Sequence, residues 1–127
     1  MPKFNNNKKF DIDLKYGQVR EKRIAKILFD KKLEVKTERD WWRKTGNIAI
    51  EIESYGKPSG LTSTEASHWV HILADGDKDY CMLLFTVAQL KKLARKYKDN
   101  FKMIGDNRAS KCILIPLTEI FSKEKKK

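Results

Sequence analysis

The chain has 127 residues, of which 40% are hydrophobic, enough for one domain with a real core. Its formal net charge of +11 and pI near 9.7 point to polyanionic partners: DNA, RNA or an anionic membrane surface. No apolar stretch reaches spanning length and MPKFNNNKKF lacks the apolar run of a secretory leader, so a soluble, cytoplasmic protein is expected.

Residues 1–12 are polar, Asn-rich and basic through Lys3, Lys8 and Lys9, and read as a flexible arm. A helix is expected from Gly17 to Lys31, where Ile24, Ile27 and Leu28 recur at helical spacing. LEVKTERD (33–40) alternates apolar and polar like a half-buried strand, and WWRKTG then turns the chain. NIAIEIE (47–53) is the clearest strand, with Ile48, Ile50 and Ile52 on one face and Ala49, Glu51 and Glu53 on the other. These two strands are expected to pair as an antiparallel hairpin.

The loop SYGKPSG follows, and the Thr62–Glu65 spacing of a capping box predicts a helix to about Leu73. ADGDKD reads as a turn and Tyr80 to Phe85 as a buried strand. Thr86 with Gln89 repeats the capping spacing and opens a helix to about Tyr97, which carries Lys91, Lys92, Arg95 and Lys96. CILIP (112–116) is a last buried strand, stopped by Pro116, and the KEKKK end is a basic tail over 122–127. The expected order is α-β-β-α-β-α-β, an α/β sandwich around one mixed sheet spanning 13–121. Cys81 and Cys112 have no CxxC partner and are expected to be buried free thiols of an intracellular protein.

Several carboxylates sit where apolar residues belong. Glu21 falls between Ile24, Ala25 and Leu28 on the helical wheel, the face expected to meet the sheet. Glu51 and Glu53 lie two apart on one strand, so an unbroken strand holds them on one face roughly 7 Å apart. Such a pair repels unless a cation neutralises it. Asp40 ends the preceding strand, with Glu38 as its rival on the polar face, which Lys36 shares. Hard divalent cations take several carboxylate oxygens, and a carboxylate knot inside a basic protein suits phosphodiester hydrolysis.

A helix with Glu, then a strand pair with Asp and a Glu-x-Lys-like tripeptide, resembles the PD-(D/E)XK nuclease superfamily. The string TGNIAIEIESYGKPSGLTSTEASHW resembles more closely the small phage endonucleases of that superfamily described as Holliday-junction resolvase-like. The resemblance covers roughly residues 14–116 and implies a restriction-endonuclease-like core, a mixed central sheet flanked by helices. It further implies a Mg²⁺ site (Mn²⁺ substituting), branched DNA as substrate, a homodimer making paired cuts, and residence in the host cytoplasm. By position it assigns metal binding to Glu21, Asp40, Glu51 and Glu53. The Lys of the tripeptide is Glu53 here, a departure from the pattern. The catalytic base is then Glu53 itself, or Lys57 reaches back to stabilise the phosphate, or the protein binds without cutting.

DNA contacts are expected from Lys36, Lys44, Lys57 and Ser59, the last two in a Gly-bounded loop, and from His68; Trp41 and Trp42 are expected to stack on unpaired bases or pack on a second subunit, with at least one of them covering the hairpin. His68 and His71, three apart with no third ligand, read as polar-face histidines. The rival functions are a non-catalytic nucleic-acid-binding protein, or a sequence-specific or single-strand nuclease of the same fold.

Overall fold

The structure is a computed structural model and describes residues 8–29 and 32–122. The chain divides into two compact units, Met1–Leu33 and Glu34–Lys127. The first unit contains helix α1, Lys8–Phe29, which starts within the stretch expected to be an arm; the expected end of that helix, at residues 30 and 31, lies outside the described residues. The remaining arm residues, 1–7, and most of the tail, 123–127, lie outside the described residues.

The second unit follows the last residues of β1 (Leu33–Arg39) with α2 (Trp41–Thr45), β2 (Asn47–Ser54), β3 (Lys57–Pro58), β4 (His68–Asp75), β5 (Lys78–Thr86), α3 (Val87–Lys96), β6 (Phe101–Ile104), β7 (Ser110–Pro116) and α4 (Leu117–Phe121). The fold is mixed α/β, as the sequence predicts, but its strands form two sheets rather than one. Their orders are β1-β4-β5 and β3-β2-β7-β6. The expected hairpin of β1 with β2 is therefore corrected, because the two strands lie in different sheets with helix α2 between them.

The helix expected over 62–73 is also corrected. Thr62 ends a short 3-10 turn, where its hydroxyl contacts the Ile52 carbonyl and accepts from Ser59 N at 3.0 Å. HWVHILAD then runs as β4 and pairs antiparallel with β5, from His68 opposite Thr86 to Asp75 opposite Lys78. Trp69, His71 and Leu73 are buried along one face of it, a period of two that outweighs the capping signal. Strand β6 arises where no element was expected and pairs with β7.

The core gathers Ile48 and Ile50 of β2, Ile113 and Ile115 of β7, Trp69 and Leu73 of β4, and Val87, Leu90 and Ala94 of α3. Ile48, Ile50, Leu90 and Ile115 have no solvent exposure, and each contributes about 1.5–3 kcal/mol of burial. Helix α3 starts as predicted, with Thr86 Oγ1 accepting from Gln89 N at 3.0 Å. Its end is fastened to α4, since Lys96 Nζ and Tyr97 OH both donate to Glu119. No helix among the described residues is long and apolar enough to cross a membrane.

Candidate active site

An open cleft of about 1020 Å³ lies in the second unit, lined by residues of both sheets. Strand β1 supplies Lys36 and Glu38, β2 supplies Ala49 and Glu51, and β4 supplies Trp69 and His71. Cys112 and Leu114 come from β7, Lys102 from β6, Arg108 from the β6–β7 turn, and Trp41 from α2. The cleft thus holds two carboxylates among three cationic side chains.

Glu38 bridges the two sheets. Its Oε1 accepts from Ala49 N at 2.8 Å, on the stretch of β2 that β3 leaves unpaired, and lies 2.9 Å from His71 Nε2. His71 is 3% exposed, and its other ring nitrogen, Nδ1, lies 3.2 Å from Trp69 Nε1. An indole N–H only donates, so Nδ1 must accept and the proton sits on Nε2, which donates to Glu38. Glu38 is thereby an acceptor of two fixed N–H groups. It caps the free edge of β2 at Ala49.

Glu51 is seated by the GKPSG loop. Ser59 Oγ donates to Glu51 Oε2 at 2.7 Å, and Ser59 N donates to the Ile52 carbonyl at 3.0 Å. The β2–β3 connection is a two-residue turn, Tyr55-Gly56, with φ of 52° and 75°, as a tight hairpin of this hand requires. Gly60 has φ +53°, and a Cβ there would meet the Glu51 carbonyl oxygen at 2.3 Å. Only glycine allows the loop this close to Glu51.

Glu53 does not share that face. Glu51 lies opposite Cys112 and Glu53 opposite Lys111, with a bulge between Glu51 and Glu53. Residues directly opposite in an antiparallel pair share a face, whereas neighbours along a strand alternate. Cys112 and Lys111 are neighbours, so Glu51 and Glu53 project to opposite sides of the sheet. The expectation that both share one face is corrected, because the extra residue of the bulge reverses the alternation.

Asp40 is tied elsewhere. Its backbone N donates to the Ala74 carbonyl at 3.0 Å and its Oδ1 accepts from Gly76 N at 2.9 Å. These bonds, with Arg43 to Asp75 at 2.7 Å, clamp the start of α2 to the β4–β5 turn. Asp40 holds the uncommon φ of 64°, a strain that the clamp maintains. Glu21 lies on α1 in the other unit, with its side chain exposed.

Of the two tryptophans Trp42 is the structural cover, so its expected DNA contact is corrected: it is buried, its Nε1 donates to the Ala74 carbonyl at 2.8 Å and its ring packs on Tyr80. Trp41 is 60% exposed at the cleft, with Lys102 Nζ 5.4 Å and Lys44 Nζ 6.0 Å from its ring centre. Lys57 is exposed on β3, outside the cleft lining. His68 is an odd number of residues from His71 on β4 and so on the other face, its Nδ1 2.9 Å from Ser67 Oγ. The reading of His71 as a polar-face histidine is corrected, since it is 3% exposed, as the alternation of HWVHILAD would place it; Cys112 is the buried thiol expected, and Lys102 and Arg108 are not singled out by the sequence.

Burial, then Glu51, then Glu38 push the Cys112 thiol up to about 11. It stays protonated at neutral pH. Both carboxylates lie within electrostatic reach of this one thiol. Among the described residues, no three of His, Cys, Asp and Glu come together closely enough to hold a metal ion. Glu38 Oε2 and Glu51 Oε1 accept no hydrogen bond among the described residues. Two carboxylates lining a basic cleft are donors of the kind Mg²⁺ takes, one or two carboxylates with waters and substrate phosphate completing its shell.

Fold and cleft together define a mixed α/β protein with a carboxylate pair in a cation-rimmed groove. No protein-family model, no characterised protein and no solved structure matches the chain.

Proposed function

We propose that the protein is a divalent-metal-dependent DNA endonuclease acting on branched DNA, with Glu38 and Glu51 as its metal-binding pair. The observation that carries this reading is that both carboxylates line one cleft together with Lys36, Lys102 and Arg108. The resemblance of the 45–69 stretch to PD-(D/E)XK nucleases points the same way through Glu51, the one of its four assigned metal positions that lines the cleft. Asp40 and Glu53 are left out of the pair because one is clamped to a turn and the other lies across the sheet.

When bound there, Mg²⁺ (or Mn²⁺) supplies a water of lowered pKa and neutralises charge on the scissile phosphate. The chain's own residues do the positioning. The Ala49 and His71 N–H groups fix one oxygen of Glu38 and leave the other for the metal. Ser59 does the same for Glu51. Lys36, Lys102 and Arg108 hold phosphate oxygens of the strand. Paired cuts at a junction require two such clefts related by a two-fold axis, and hence a homodimer.

The second reading is a non-catalytic nucleic-acid-binding protein, favoured by the absence of a third ligand beside the pair among the described residues. Cleavage of a labelled four-way junction and a matched linear duplex, with Mg²⁺ and with EDTA, separates the two. Metal-dependent cutting of the junction that is lost in Glu38→Ala and Glu51→Ala is expected. Binding without cutting, unchanged by either substitution, would establish the second reading, and equal cutting of both substrates would remove junction preference.

A further inference from the structure

Trp41 is the first residue of the five-residue helix α2 and leaves 60% of its surface exposed at the mouth of the cleft. Its neighbour Trp42 already covers the core from the same helix, so packing does not require a second indole. Lys102 reaches Trp41 from another element, β6, and Lys44 from one turn along α2, each placing its ammonium within 6.0 Å of the ring centre. Lys102 lies opposite Cys112, which lies opposite Glu51, so all three belong to one face of the sheet. An aromatic platform, a cation and a carboxylate therefore line one groove.

We propose that this groove takes an unpaired DNA strand, one base stacking on Trp41 while Lys102, Lys36 and Arg108 hold the adjoining phosphates. This deepens the reading of the cleft as a DNA-processing site and rests on it. The chemistry distinguishes unpaired from paired DNA. Lysine and arginine attract either form through phosphate charge. A base inside a duplex is already stacked on both faces, so an exposed indole gains a partner only from a base outside the stack. On branched DNA, such bases occur where strands separate at the branch.

The test is fluorescence anisotropy in EDTA, where binding is read without cleavage. The probes are a labelled dT12, a blunt duplex of 12 base pairs and an rU12. The proteins are wild type, Trp41→Ala, Trp41→Phe and Lys102→Ala. The wild type is expected to bind dT12 more tightly than the duplex. Trp41→Ala is expected to weaken dT12 binding about 5- to 150-fold, the range for loss of one stacked base, and to leave duplex binding within about two-fold. Trp41→Phe restores most of the loss, whereas Lys102→Ala weakens both DNA probes and flattens the salt dependence. Equal losses for dT12 and duplex in Trp41→Ala, no loss at all, or tighter binding of rU12 than of dT12 would overturn the proposal. Selective dT12 binding that depends on Trp41, without Mg²⁺-dependent cutting, would leave this inference standing and remove the nuclease. Cutting with no Trp41 selectivity would do the reverse.

Discussion

His71 Nε2 lies 2.9 Å from Glu38 Oε1 on the neighbouring strand of its sheet, and Trp69 Nε1, bonded to the opposite ring nitrogen, decides which of the two carries the proton. A buried residue of β4 thus orients a carboxylate of β1, and that carboxylate caps the backbone of β2. This chain of bonds joins both sheets at the cleft.

The first prediction concerns that chain. His71 touches no substrate in the proposed site, and its role is positioning. His71→Ala is expected to lower Mg²⁺ affinity about 10- to 100-fold by titration calorimetry. His71→Gln, which keeps an N–H for Glu38, should recover part of it. His71→Ala should also cost about 1–3 kcal/mol in urea unfolding, because the Trp69 indole N–H loses its acceptor in a buried place. A stability loss with unchanged Mg²⁺ affinity would reduce His71 to a packing residue.

Gly60 gives a second. Alanine there meets the Glu51 carbonyl and must adopt a positive φ. Gly60→Ala is expected to destabilise by at least about 2 kcal/mol and to displace the loop carrying Ser59. Ser59→Ala, which frees Glu51 without a clash, should leave stability within about 1.5 kcal/mol, the worth of one hydrogen bond. Denaturant midpoints of the two variants check this contrast.

The adjacent tryptophans should behave oppositely. Trp42→Ala empties a core site and is expected to cost about 3–5 kcal/mol. Trp41→Ala, at an exposed position, should stay within about 0.5 kcal/mol. Thermal unfolding of both variants measures the difference. Equal losses would mean that Trp41 is part of the packing.

Cys112 sets an alkaline limit. Burial pushes its folded pKa up to about 11, above the ordinary value of 9.0. Between those pH values the folded state holds a proton that the unfolded state has released, so stability falls as pH rises through the window. The full loss is roughly 3 kcal/mol, reached above pH 11. Cys112→Ala should flatten the profile between pH 9 and 11. At pH 8 the native thiol should react with iodoacetamide far more slowly than the same thiol in urea.

Local chemistry in the sequence determined what depends on short range. The alternation of NIAIEIE made β2, Thr86 with Gln89 capped α3, and CILIP made β7. It also supplied the acids, the basic surplus and the GKPSG loop that seats Glu51. Tertiary pairing decided the rest. Whether residues 62–73 became helix or strand depended on β5 being beside them, since the capping spacing and the two-residue period coexist in that stretch. The bulge that parts Glu53 from Glu51 depends on how β2 registers with β7, roughly sixty positions away in the chain. The choice of Glu38 over Asp40 has the same origin. Both are acids at the end of one strand, and only the placing of β4 gave Glu38 a histidine and Asp40 the amide of Gly76. Side-chain direction on a strand is inherited from its partners, so one inserted residue moves a carboxylate across the sheet without altering the local pattern.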